Sequence, residues 1–246
     1  MAPASPHSHR QDNQPVFVLH TYPFKETSLV VELFAHGFGR VATTAKGARR
    51  PRSAMRGMLQ SFQPLIATWS GKLELKTLHS LDWGGGLLLL KGEALMCGFY
   101  LNELLLRLLP REDPHEALFE YYSATLKILA SGEDLATTLR RFELKLLQEL
   151  GYAIPLQQDA VNAEIVASTN YRYIAEHGAT RINGSPVRID NGIQLLGKTL
   201  IDMVSDDYSN AQTQQQSKQL MRYLLAHYLG DKPLHTRQLL IDLQGL

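Results

Sequence analysis

Between residues 15 and 80 the apolar positions come in short runs divided by turn chemistry. VFVLH (16–20), SLVVELFA (28–35), RVATTA (40–45), PLIATW (64–69) and LELKTLHS (73–80) read as five strands. Tyr22-Pro23, His36-Gly37-Phe38-Gly39 and Ser70-Gly71 punctuate them. Five short strands with no long helix between them predict a small antiparallel barrel or sandwich. The connector at 46–62 is far longer than a hairpin turn, and long loops in compact domains often carry function. Three consecutive glycines, Gly84–Gly86, then interrupt the pattern and read as a linker at 83–86.

Beyond that linker the period changes to that of helices. Residues 87–109 are apolar on most sides, with Leu101, Leu104, Leu105 and Leu108 at helical spacing, and Pro110 ends the run. A second helix is expected at about 114–130. A third opens at Ser131, with Asp134 completing a capping-box-like start, and closes at Gly151. Residues 152–194 carry many turn signals, among them Asn183-Gly184 and Asn191-Gly192 around VRI (187–189), and predict irregular structure with one small hairpin. Helices return at about 195–206 and 212–229, with Lys198, Gln214, Gln215 and Gln216 on outer faces, and a last one spans about 235–244. Residues 1–14 hold almost nothing to bury and read as a flexible tail, with His7 and His9 solvated. The fold class is α+β: a five-stranded barrel at 15–82, then a mainly α-helical domain at 87–246.

Composition narrows the class. The chain has 246 residues, 44% hydrophobic and 20% charged, enough to bury a sizeable core. Cys97 is the single cysteine, which excludes an internal disulfide and a Cys-rich zinc site and fits a reducing compartment. No apolar run approaches the roughly 20 residues that span a bilayer. The polar N-terminus lacks the apolar stretch of a secretory signal. A soluble, intracellular, globular protein without a membrane role is expected.

Charge changes the picture more. The net charge is only +1, yet residues 33–73 contain seven basic residues and no acidic one. That segment carries +7 and the remainder −6. Lys46, Arg49, Arg50, Arg52 and Arg56 fall within the eleven residues KGARRPRSAMR (46–56), in the long connector; Arg40 and Lys72 complete the seven. A mobile basic loop on a small barrel suits a nucleic-acid backbone, because each phosphate contact releases condensed counterions whatever the base sequence. An acidic protein is the alternative partner. Phe38, Phe62 and Trp69 are expected in the core, and stack on bases only if they face outward.

A second feature lies at LATTLRRFELKLLQEL (135–150). On a helical projection Leu135, Leu139, Phe142, Leu146 and Leu150 share one face. Leu144 and Leu147 form a second stripe with Arg140 between them, and Arg141 falls on the polar side. An arginine in apolar surroundings suits a peptide's terminal carboxylate, or a local acid with its stem laid over leucines. Catalytic signatures are missing. There is no G-x-x-x-x-G-K-[ST], no strand-associated G-x-G-x-x-G, no H-E-x-x-H and no G-x-S-x-G. Cys97, in LMCGF, reads as a buried structural thiol rather than a nucleophile. An enzyme has no residues behind it, and neither metal nor cofactor is expected.

VLHTYPFKETSLVVELFAHGFGRVATTAKGARRPRS (18–53), YLNELLLRLL (100–109), LRRFELKLLQELGY (139–152) and YLGDKPLHTRQLL (228–240) together resemble the RecO family of bacterial recombination mediators. The resemblance implies an N-terminal OB-fold and a helical C-terminal domain. It implies binding of single- and double-stranded DNA, annealing of complementary strands, and contact with the C-terminal tail of single-stranded DNA-binding protein. It further implies a partnership with RecR, and in some settings RecF, in loading RecA, without nucleotide hydrolysis, in the bacterial cytoplasm at the nucleoid. It assigns phosphate contact to Lys46, Arg49, Arg50, Arg52 and Arg56, and Arg40 is expected in the same DNA-binding set. It places the acidic, Phe-ended tail on Arg140 and Arg141, beside Leu144 and Leu147. Many relatives carry a four-cysteine zinc module; this chain, with Cys97 alone, resembles the members that lack it.

Overall fold

The computed structural model describes residues 9–86, 89–152, 154–182, 192–230 and 233–236. The expected turns at 183–184, the VRI run at 187–189 and most of the last expected helix lie outside these residues, as does His7.

Five strands form where the apolar runs stand: β1 (Arg10–Phe24), β2 (Ser28–Ala35), β3 (Gly39–Ala45), then β4 (Leu65–Ser70) and β5 (Leu75–Trp83). They close in the order β1-β2-β3-β5-β4, with β4 pairing back to β1. β3 and β5 run parallel and every other pair antiparallel. This is the OB-fold. Its interior takes one face of each strand: Val16 and Val18, Val31 and Leu33, Val41, Leu65 and Trp69, Leu78 and Leu81.

β1 begins five residues inside the stretch read as a tail. Arg10, Gln11 and Gln14 pair with Ser70, Trp69 and Ala67 of β4. Their side chains contribute little to the core, so hydropathy gives no sign of them; the backbone ladder holds them. Gly39 has φ +64° and sits where a Cβ would stand 1.9 Å from the Asp113 carbonyl oxygen, so the β2–β3 turn requires glycine.

Between β3 and β4 the connector folds into turns and the short helix α1 (Ala54–Met58). The next helices are α2 (Gly92–Leu108) and α3 (Glu116–Ser131). β1 serves two cores. Val16 and Val18 enter the barrel, while Phe17 points outward with Phe34 onto Phe119 and Tyr122 of α3. The β1–β2 register skips Leu19, and its carbonyl accepts from Asn102 Nδ2 at 2.8 Å. Tyr122 Oη in turn donates to Asn102 Oδ1 at 2.5 Å. Cys97 is buried on α2. By packing, α2 and α3 therefore belong with the barrel: among the described residues one compact unit comprises 9–132 and 234–236, the other those between 133 and 233. The compositional break at Gly84–Gly86 precedes this division by nearly fifty residues.

The second unit contains α4 (Leu135–Glu149), a three-stranded sheet and two further helices. α4 is capped by Asp134, whose carboxylate accepts from Ala136 N and Thr137 N. Ser131 is the last residue of α3, so the capping-box start placed at Ser131 is corrected to Asp134. Gly151 ends α4 with φ +79°, and Tyr152 N donates to the Leu147 carbonyl. The turn-rich segment forms β6 (Asn170–Ile174), β7 (Gly178–Arg181) and β8 (Ile193–Leu196), in the order β7-β6-β8. The expected hairpin thus gains a third strand. α5 (Gly197–Val204) and α6 (Ala211–Leu229) follow. Gln216 is not on an outer face: its Oε1 accepts from Leu196 N at 3.0 Å and Thr199 Oγ1 at 2.6 Å, fixing the β8–α5 junction. No described helix is long and apolar enough to cross a membrane.

Candidate nucleic-acid interface

The basic connector folds into hydrogen-bonded turns and the short helix α1. Gly47, at φ +68°, turns the chain so that Ala48 inserts fully buried into the barrel core. Arg49 N then donates to the Thr27 carbonyl of the β1–β2 turn at 2.9 Å, clasping the connector to that hairpin. Arg50 N, Ser53 N and Arg56 N bond back to Gly47, Arg50 and Ser53 carbonyls in successive turns. Met55, Met58 and Leu59 pack against the barrel core. Apolar residues at 48, 55, 58 and 59 thus fasten the segment, while the cations between them project outward.

Lys46, Arg49, Arg50, Arg52 and Arg56 are all exposed. Among the described residues none of the five makes an ion pair. Exposed cations without carboxylate partners are free to exchange counterions for phosphate. Arg49 Nη1 reaches the Lys25 carbonyl at 3.4 Å. Lys25, exposed in the β1–β2 turn with Glu26, holds its Nζ 5.3 Å from the Phe24 ring centroid. It joins the patch although it lies outside the acid-free stretch of sequence; only the hairpin contact reveals it.

Arg40 stands apart. It lies 3.8 Å from the buried Glu32 carboxylate with 18% of its side chain exposed. Arg111 also pairs with Glu32 and bridges to Glu74. Burial pulls the Arg40 guanidinium below its ordinary pKa despite the opposing pull of Glu32. Arg40 therefore balances an internal charge supplied by the neighbouring strand, which sets it apart from the five connector cations. Trp69 and Phe62 are buried, as core packing requires. Phe38 is half-buried, edge-on to Trp69 at 5.4 Å, and lines a cleft of about 270 Å³ with Lys72 and His9.

On α4, Arg140 Nη2 donates to Glu143 Oε1 at 2.6 Å, so the local acid is present. Arg140 keeps 13% of its side chain exposed, and Glu143 is buried. Arg141 pairs with Asp206 at 2.7 Å and lies over the Tyr208 ring. Leu144 is half-buried. Leu147 is fully buried, so it belongs to the core beside Phe142 and Leu146 rather than to a docking surface. The projection misplaces it because α4 buries Thr138 and Glu143 in place of Leu135 and Leu139.

Comparison with known proteins divides the chain at the glycine run rather than at residue 132. The family profile described as "Recombination protein O N terminal" matches residues 10–85, and "Recombination protein O C terminal" matches 89–238. The chain is 53% identical over 243 residues to the DNA repair protein RecO of Nitrosospira multiformis, covering 96% of this chain and 98% of that one. It is 54% identical over 239 residues to the RecO of Aromatoleum aromaticum, with the same coverage. To that of Dechloromonas aromatica it is 52% identical over 242 residues, covering 96% and 97%. The chain belongs to the RecO family of DNA repair proteins.

Proposed function

We propose that this repair protein is a recombination mediator that holds single- and double-stranded DNA on the basic connector of its OB-fold. It anneals complementary strands and, with RecR, helps load RecA onto strands coated by single-stranded DNA-binding protein. It does so without catalysis. One observation carries the reading: five exposed cations without acidic partners, fastened to the barrel by Ala48 and by the Arg49–Thr27 backbone bond. Fixing the loop in the free protein removes part of the ordering cost that a slack loop meets on binding. The acidic tail of single-stranded DNA-binding protein docks on α4, at Arg140, Arg141 and the accessible edge of Leu144.

The test is a titration of labelled oligonucleotide at several salt concentrations, with wild type and with Arg49→Glu/Arg50→Glu. Each lost phosphate contact lowers the log–log salt slope by about 0.7 on single strands. Two lost contacts flatten it by about 1.4, and the variant binds more weakly at low salt. A double reversal that binds as wild type does, with the same slope, removes the connector from the DNA site. A wild type that binds no oligonucleotide but an acidic protein makes the connector a protein-docking loop.

A further inference from the structure

The outer face of the barrel carries an aromatic ring that neither the core nor the basic connector uses. Tyr22 on β1 is 45% exposed, and its hydroxyl makes no hydrogen bond to a described residue. Register places it at the head of a row across the sheet: Tyr22 pairs with Val30, Val30 with Thr44, and Thr44 with Thr77. The three residues beside it on that row, Val30, Thr44 and Thr77, are β-branched and shorter than the ring. The His20 ring meets it edge-on at a centroid distance of 4.5 Å and restrains its orientation.

The electrostatics around the ring suit a nucleic acid strand. Lys25 follows the end of β1, three residues beyond Tyr22, and Lys46 follows the end of β3, two residues beyond Thr44, so both strands lead to the basic patch at the same end of the sheet. The carboxylate one row away, Glu32, is buried and paired with Arg40 and Arg111. Glu26 is exposed beside Lys25 in the turn, but no free anion stands beside Tyr22 on its own row.

We propose that Tyr22 is a base-stacking platform, taking the face of one unpaired nucleobase while Lys25, Lys46 and Arg49 hold the adjoining phosphates. Stacking needs an exposed π-face, which a strand offers and a closed duplex does not. Tyr22 thereby sets the preference for single strands over duplex, while the cations serve both. This rests on the DNA-binding reading above.

The experiment titrates a labelled oligothymidylate and a blunt duplex of equal length with the full chain, at two salt concentrations, for wild type, Tyr22→Ala and Tyr22→Phe. Circular dichroism and the thermal midpoint check folding. Tyr22→Ala should weaken single-strand binding by about 5- to 150-fold, the range that loss of one stacked base gives. Its duplex affinity should stay within about twofold of wild type, and its salt slope unchanged, because no phosphate contact is lost. Tyr22→Phe keeps the ring and should restore single-strand affinity. Equal weakening on both DNAs, or single-strand binding unaffected in a folded Tyr22→Ala, overturns the stacking role alone. A folded wild type that binds neither DNA overturns the DNA-binding reading together with it.

Discussion

Asn102 is the residue whose removal should most clearly disturb the first compact unit. It is 2% exposed, and its amide serves two buried groups at once: it donates to the Leu19 carbonyl at 2.8 Å and accepts from Tyr122 Oη at 2.5 Å. The chain of contacts runs from a skipped residue in the β1–β2 ladder, through α2, to α3. Asn102→Ala removes the donor of one buried group and the acceptor of the other. A buried polar group that loses its partner costs about 1–3 kcal/mol, so the two together cost about 4 kcal/mol. For a chain of this size that is a drop of about 8–16 °C in midpoint. Tyr122→Phe disturbs only one end and should cost about 1–3 kcal/mol. In the double variant the Tyr122 hydroxyl no longer asks for a partner, so the two changes should fall short of additivity by about 1 kcal/mol or more. Urea unfolding followed by circular dichroism measures all three. A cost below about 0.5 kcal/mol for Asn102→Ala, or strict additivity, refutes the relay.

Further outcomes follow from the same side-chain accounting. Glu103 accepts from His235 N, Thr236 N and Thr236 Oγ1, at 2.8, 2.9 and 2.6 Å. Burial alone would raise its pKa; the bonds from Thr236 and His235 outweigh burial and hold it below the ordinary glutamate range. A depressed carboxylate gives stability that is fully present above its unfolded pKa, about 4.3, and is lost as pH falls through its folded value. Glu103→Gln should therefore lower the midpoint at neutral pH, and the gap to wild type should close on acidification below that range, read by thermal melts across pH. Arg140→Ala should weaken an acidic, Phe-terminated peptide in a fluorescence titration by about tenfold, as loss of a charged hydrogen bond would, while oligonucleotide affinity stays within about twofold.

How far the sequence leads depends on the kind of signal each element needs. β2, β3, β4 and β5 stand within a few residues of their apolar runs, because each buries one face in the barrel and the pattern records that face. The first five residues of β1 lack such a face: they are held by backbone pairing to β4, which leaves no mark in hydropathy. β8 and the inward-turned Gln216 were equally hidden, since four residues make too short a period and a glutamine's partner is known only once the fold is formed. At the candidate interface, the five connector cations are legible from charge density alone. Lys25 is not, because it sits beside Glu26 and reaches the patch through the hairpin contact to Arg49. Arg40 reads as a free cation in sequence, and only the β2–β3 register brings Glu32 to it.

In the proposed function one chain binds DNA through the barrel and the coat protein's tail through α4, and uses both to anneal. The most direct test mixes two complementary strands, each coated with the cognate single-stranded DNA-binding protein, adds this protein without nucleotide, and follows duplex formation. Acceleration is expected on coated strands, lost in Arg49→Glu/Arg50→Glu and reduced in Arg140→Ala. Coated and naked strands that both anneal no faster than they do alone would contradict it.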